Sequence, residues 1–284
     1  MGNAVNADAG PEQEIAKHYA SENLEERILA AFEATGKPRS EVTPLDLTAV
    51  SEFHIGGSEA TEALARQMNL RPGMRILDIG SGIGGPARFI ASKYRCHVTG
   101  VDLTAEYVRA ANALTSRVGL SASAKFEQGS ALNLPFEDRA FDAAYMIHVG
   151  MNIPDKMKLF GEVKRVLNPN GIFAIYDVMR IGPGDFNFPV PWASARSESF
   201  VAPAAEYREG LQQNGFVVVA ERERRQSGID FFEQMGKRAR QEGPRPPGLH
   251  LVMGESAMTK TENVLDGVRR GVIAPIEIVV LRQA

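Results

Sequence analysis

Apolar positions set the first expectations. Ile15, Tyr19, Leu24, Ile28, Leu29 and Phe32 recur at helical spacing, which predicts a helix from Pro11 to Phe32. Gly36 to Gly57 carries prolines and glycines and reads as loop with short helical pieces. Ser58 to Asn69 is amphipathic, with Ser58 placed to cap a helix. From Met74 the pattern changes to short apolar runs between helical stretches. MRILDI leads into a glycine turn and a helix over 85–93. CHVTGVD precedes a helix over 105–117, and AKFEQG and FDAAYMIH follow. A helix over 155–167, the turn NPNG and IFAIYDVM close the series. Strands alternating with helices at these lengths predict a parallel sheet covered on both faces, with right-handed crossovers.

The regularity breaks after Met179. Residues 181–203, IGPGDFNFPVPWASARSESFVAP, hold four of the sixteen prolines and the single tryptophan. A long aromatic, proline-rich insertion in a compact domain points to a lid or binding loop. Beyond it the pattern predicts a helix over 204–214, the strand GFVVVAERER and a helix from about Ile229. The loop EGPRPPG, a helix over 255–270 and a last strand, IEIVVLRQA, complete the chain.

Composition narrows the function classes. The 284 residues are 44% hydrophobic and 24% charged, with a formal net charge of −3, so no basic footprint for nucleic acid exists. No run of 18 apolar residues predicts a membrane span. The first residues lack the charged and apolar blocks of a secretory signal, and Asn6 stands where myristoylation wants Ser or Thr. The single cysteine, Cys96, makes neither an internal disulfide nor a zinc cluster. The expectation is a cytoplasmic protein with a small-molecule substrate, no nucleic-acid or membrane partner and no metal; oligomeric state is left open.

The candidate chemistry lies in LDIGSGIGGPARFIA. Gly80, Gly82 and Gly85 satisfy G-x-G-x-x-G, and Asp102 follows Gly82 by twenty residues, placed for ribose hydroxyls. Both features suit NAD as well as other adenosine cofactors. Asp78 separates them: a carboxylate two residues before the first glycine is a poor neighbour for a diphosphate and a good one for an ammonium group.

LDIGSGIGG followed by VTGVDLT resembles motifs I and II of class I S-adenosylmethionine (SAM)-dependent methyltransferases. FDAAYMIHVGMNIPD and EVKRVLNPNGIFAIYD resemble their fourth-strand and fifth-strand motifs. EFHIGGSEATEALA with GSGIGGPARFIA is similar to the small-molecule group that includes sarcosine and dimethylglycine N-methyltransferases. Sterol and tocopherol methyltransferases share the GIGGPAR-type turn. The resemblance implies an α/β fold: a Rossmann-like, seven-stranded, mostly parallel sheet with an antiparallel last strand. It further implies a helical N-terminal lid over residues 1–57, a methyltransferase domain over 58–284, and a cap at about 181–203. SAM would be the cofactor and S-adenosylhomocysteine (SAH) the product.

Carried over by position, Asp78, Gly80 and Gly82 would line the methionine end of SAM. Asp102 would take the ribose, and Leu103 would pack on adenine. Ser130, in place of the family's usual acid, and the Ala131 N–H would meet the adenine edge. His148 would face the methionine tail and reaction centre, and Tyr19 of the lid would close over the cofactor. His148 is the first candidate base, since an ordinary imidazole titrates near operating pH; His54 is the second. Phe53, Trp192 and Tyr19 would wall a cationic or flat substrate, and Arg196 would pair with a substrate carboxylate. The function expected is methyl transfer to a small molecule, first at an amine nitrogen. The alternatives are O- or C-methylation of a natural product, quinone or lipid-like acceptor, an NAD-dependent oxidoreductase, and a non-catalytic SAM-binding regulator.

Overall fold

The computed structural model describes residues 12, 23–241, 247–248, 250–254 and 256–283. The first described helix, α1 (Leu24–Ala34), buries Leu24, Ile28, Leu29 and Phe32, the apolar stripe expected from the sequence. The rest of the predicted 11–32 helix, with His18 and Tyr19, lies outside the described residues apart from Glu12.

Helix α2 (Pro44–Ser51) starts on a capping box. Thr43 Oγ1 accepts from Asp46 N, Thr43 N donates to Asp46, and Pro44 occupies the first turn. Glu52 stands at its C-terminal cap, and α3 (Gly57–Gln67) follows the five-residue link 52–56. The expected Ser58 cap is corrected: Gly56, with φ 90°, stands at the cap, and no side chain caps the helix. A left-handed turn at Gly56 begins the helix early, so Ser58 is already inside it.

The sheet contains β1 (Arg75–Ile79), β2 (His97–Asp102), β3 (Ala124–Gln128), β4 (Phe141–Ile147), β5 (Leu167–Arg180), β6 (Phe216–Glu223) and β7 (Ile273–Arg282). Its order is β3-β2-β1-β4-β5-β7-β6, and β7 runs antiparallel to both neighbours. Helices α4 (Gly85–Tyr94), α5 (Ala105–Arg117) and α6 (Lys156–Val166) connect the parallel strands. The turn NPNG is absorbed into β5 as an irregularity: Phe141 pairs with Leu167, and the next matched pair is Ala143 with Ile172. The Rossmann-like sheet expected from the sequence is present.

Helices α7 (Ala204–Gln213), α8 (Arg225–Gln241), α9 (His250–Met253) and α10 (Ala257–Arg269) complete the described elements. Helix α8 starts four residues before the expected Ile229. It runs through Gly228, which packs against Ile55 and Pro275 instead of breaking the helix. Four buried apolar clusters hold the layers together. Two flank the sheet, one joins α1 and α2 to α5, and one joins the 181–203 insertion to α8 and α10. In the last of these, Phe186, Val190, Trp192 and Ala193 pack with Phe232, Val264 and Val268.

Candidate active site

The strands β1, β2, β4 and β5 bring their carboxyl ends to one edge, the position where open α/β sheets bind ligands. The turn after β1 is held tightly there. Gly80, at φ 71°, has Val149 where a side chain would begin: a Cβ would lie 2.3 Å from Val149 Cγ2. Gly85 is met by the Ser51 carbonyl, which a Cβ would approach to 2.3 Å. The link after α2 therefore runs across the turn. Its Phe53 ring lies 3.4 Å from the Cβ position of Gly82.

Asp78 sits between two strands, in register with Gly100 of β2 and Tyr145 of β4. It is 2% exposed, and its Oδ2 has no hydrogen-bond partner among the described residues. Burial pushes its carboxyl up to about 8, with the nearby Asp102 and Glu52 charges adding to the rise and Tyr145 opposing it. The Tyr145 hydroxyl faces Asp78 without a well-formed hydrogen bond of its own.

Asp102 closes β2 and organises the turn. Its Oδ2 accepts from Gly82 N at 2.8 Å and its Oδ1 from Thr104 N at 2.9 Å. Each oxygen retains a lone pair, so ribose hydroxyls would add to these bonds without displacing them. Burial raises this carboxyl too, against the two backbone N–H groups that lower it. Leu103, Ser130 and Ala131 are half-buried at the neighbouring strand ends. The Ser130 hydroxyl accepts from Leu132 N and donates to the Glu12 carboxylate.

His148 follows β4 in the left-handed region, φ 55°, a conformation in which asparagine, aspartate and histidine are enriched among non-glycine residues. Its N–H donates to the Tyr176 carbonyl at 2.7 Å. The rings of His54, His148 and Tyr176 form one group: 5.9 Å between the histidines, with Tyr176 at 6.1 Å from His54 and 5.3 Å from His148. Tyr176 is fixed by donating to the Ile55 carbonyl at 3.0 Å. His148 Nε2 is buried without a partner.

The expectation that His148 titrates near operating pH is corrected. Burial, then the neighbouring His54, holds its pKa well below the ordinary imidazole range, so the ring is neutral. His54 is likewise depressed to about 4 by burial. Its Nε2 lies 2.9 Å from the Gly57 carbonyl, which only accepts, so the network assigns the proton to Nε2.

Sequence reasoning missed Glu52, Thr61, Arg88, Tyr145 and Tyr176. All five lie within the stretches EFHIGGSEATEALA, GSGIGGPARFIA, FDAAYMIHVGMNIPD and EVKRVLNPNGIFAIYD, but nothing in those stretches marks them for a role; the folded link after α2 and the strand register bring them to the site.

The substrate residues are placed differently from one another. Phe53 is half-buried at the turn, 6.1 Å from the Tyr107 ring. Trp192 is 4% exposed inside the insertion's own cluster, its ring 6.1 Å from Phe186 and its indole N–H donating to Ser199 Oγ at 2.9 Å. Arg196 is exposed and paired with Asp185. The structure thus groups Phe53, His54, His148, Asp78 and Asp102, and holds Trp192 and Arg196 through contacts within the insertion.

Residues 77–175 match the family model described as a methyltransferase domain. Over 114 residues it is 40% identical to the sterol 24-C-methyltransferase ERG6B of Gibberella zeae, covering 40% of this chain and 30% of that protein. Over 161 residues it is 33% identical to phosphoethanolamine N-methyltransferase 1 of Arabidopsis thaliana, covering 57% of this chain and 29% of that one. The chain therefore spans about a third of the length of these curated relatives. The solved structure of a sarcosine dimethylglycine methyltransferase-like protein from Galdieria sulphuraria shares the fold. Its TM-score is 0.66 at 22% identity, over 80% of this chain and 86% of that chain. Among the described residues no helix is long and apolar enough to cross a membrane, and no group of three His, Cys, Asp or Glu side chains is arranged to hold a metal.

Proposed function

We propose that this protein transfers a methyl group from SAM to a small-molecule acceptor, at an amine nitrogen. The observation that carries the cofactor assignment is Asp78: a buried carboxyl at the glycine turn with an unpartnered oxygen and two further carboxylates nearby. Such a site offers a diphosphate bridge no cation, and repels it once ionised, whereas a cationic amino-acid tail draws the proton off Asp78 and pairs with it.

The residues present fit that group. Asp78 and the turn of Gly80 and Gly82 would hold the methionine end, Asp102 the ribose, and Leu103, Ser130 and Ala131 the adenine. The described part of the 1–57 segment acts as a cover, since Ser51 to His54 lies over the turn. The 181–203 insertion acts as a cap on the acceptor side, with Trp192 holding it together and Arg196 at its surface.

When bound, SAM supplies a methyl group already activated on a sulfonium sulfur. The protein's task is then alignment and exclusion of water. A neutral amine would donate an N–H to the bare Nε2 of His148, aiming its lone pair at the methyl carbon. When the nitrogen–carbon bond forms and the sulfur–carbon bond breaks, the product carries the positive charge as an ammonium and gives up its proton to solvent on release, because His148 is held neutral by burial. His54 and Tyr176 fix the imidazole plane by ring packing. The match to a sterol C-methyltransferase favours a second reading, a carbon acceptor, in which His148 Nε2 takes the proton lost from carbon. Radiolabelled SAM with a panel of amines and unsaturated lipids tests the proposal. Labelled amine product is the expected result; label on carbon selects the second reading, and SAH binding without transfer to any acceptor leaves a regulator.

A further inference from the structure

We propose that Glu52 is a second carboxylate for the ammonium group of the cofactor's amino-acid tail, acting with Asp78 beside the glycine turn. The proposal rests on the cofactor reading above.

Placement carries the first part of the argument. Glu52 lies between Ser51, whose carbonyl abuts Gly85, and Phe53, whose ring abuts Gly82. Both flanking contacts fix it over the turn, and it is 4% exposed. Its Oε2 accepts from Thr61 Oγ1 at 2.8 Å and lies 3.4 Å from His54 Nε2. Its Oε1 is buried with no partner, as is Asp78 Oδ2. Buried carboxylate oxygens are costly to leave unsatisfied, and two such oxygens on acids whose charges act on each other mark a place for donors supplied from outside.

The surrounding charges carry the second part. Glu52 is faced by Arg88 from α4, Thr61 from α3, His54 from its own link and Asp78 from β1; Asp78 is faced by Tyr145 from β4 and Asp102 from β2. The one permanent cation in this group, Arg88, is itself buried. Its Nη1 donates to the Ile83 carbonyl at 2.7 Å and to Thr115 Oγ1 at 3.3 Å, and its Nη2 has no partner. It makes no ion pair with Glu52 among the described contacts, and its charge does not offset the burial that raises Glu52 to about 7. An ammonium group has three N–H donors, so two carboxylate oxygens and one backbone carbonyl satisfy it. With Asp78 largely and Glu52 about half protonated in the free protein near pH 7, binding the cation releases protons, and affinity rises with pH.

Titration calorimetry on the full chain at pH 6.0 and 8.0 tests this with two ligands. SAH carries the amino-acid tail; methylthioadenosine shares the adenosine and thioether but lacks the tail. The wild type binds SAH more tightly at pH 8.0 than at 6.0, while methylthioadenosine affinity stays level. Glu52→Gln weakens SAH at pH 8.0 by about tenfold or more and leaves methylthioadenosine within about twofold. Equal loss for both ligands would make Glu52 a structural partner of Arg88 and overturn the proposal, as would undiminished SAH binding. If Glu52→Gln does not fold, Glu52→Asp, which withdraws the carboxylate while keeping its charge, is held to the same selective loss. A wild type that fails to bind SAH at all removes the cofactor reading itself.

Discussion

Two buried ionisable groups sit under the same sheet and are built in opposite ways. Around Asp177 every polar atom is spoken for. Tyr207 donates to Oδ2 at 2.6 Å, Val178 N to Oδ1 at 3.0 Å, and Lys156 Nζ donates to the Ile153 and Phe200 carbonyls at 3.1 and 2.9 Å. The Lys156 ammonium also lies 5.3 Å over the Tyr207 ring. Around Asp78, by contrast, Glu52 Oε1, Asp78 Oδ2, the Tyr145 hydroxyl and His148 Nε2 are all buried without partners. A fully paired network locks a fold; an unpaired one of the same burial costs stability and persists where a ligand completes it. That contrast distinguishes these two carboxyls without reference to any motif.

The largest effect expected from breaking this contrast is in the scaffold. Lys156→Ala removes two charge-assisted hydrogen bonds, to the Ile153 and Phe200 carbonyls, and unfolding free energy measured in denaturant falls by about 3–5 kcal/mol. SAH affinity of the folded fraction is unchanged. Asp102→Ala does the reverse. It strips the partners of Gly82 and Thr104 N–H groups and of the ribose together, so SAH affinity measured by calorimetry falls roughly a hundredfold; full affinity would remove the ribose assignment. His148→Ala lowers kcat by about tenfold to a hundredfold with SAH affinity within about twofold. Unchanged turnover would end its role in orienting the acceptor.

The smallest effect is a pH dependence of the free protein. Glu52 and Asp78 bind protons in the folded state up to about 7 and 8, whereas an unfolded carboxyl loses its proton near 4. Their stabilising contribution is therefore complete below about pH 4 and is lost as pH rises through 7 and 8. His54 and His148 have the opposite sign. Neutral when folded, they favour the native state above about 6.5 and lose that contribution as pH falls. Above pH 6.5 the histidine contribution is level, so Tm of the free protein declines between pH 6.5 and 8.5. Saturating SAH flattens the decline, and a Tm that rises over this range would contradict the burial of these acids.

How much of this was legible in the sequence follows from how local each feature is. The glycine turn, Asp78 and Asp102 could be read because strand ends and turn spacing fix them within a short stretch. The sheet order and the antiparallel β7 followed from the family resemblance, not from periodicity. Glu52 gave no signal: it terminates a helix started by Thr43 and Asp46, and only the close approach of Ser51 to Gly85 brings it over the turn. His148 was visible as a strand-end histidine, but its neutrality depends on burial beside His54, from a segment almost a hundred positions away. Trp192 read as a pocket wall because an exposed loop has little use for a large apolar ring. The 181–203 segment is packed against α8 and α10, and that packing supplies the use.

The central claim is that the carboxylates at the glycine turn select a cationic amino-acid tail over a diphosphate. Parallel calorimetric titrations of the wild-type chain with SAH and with NAD test it most directly. The account predicts saturable SAH binding with proton release near pH 7 and no measurable heat with NAD. Tight NAD binding, with SAH failing to compete, would contradict it.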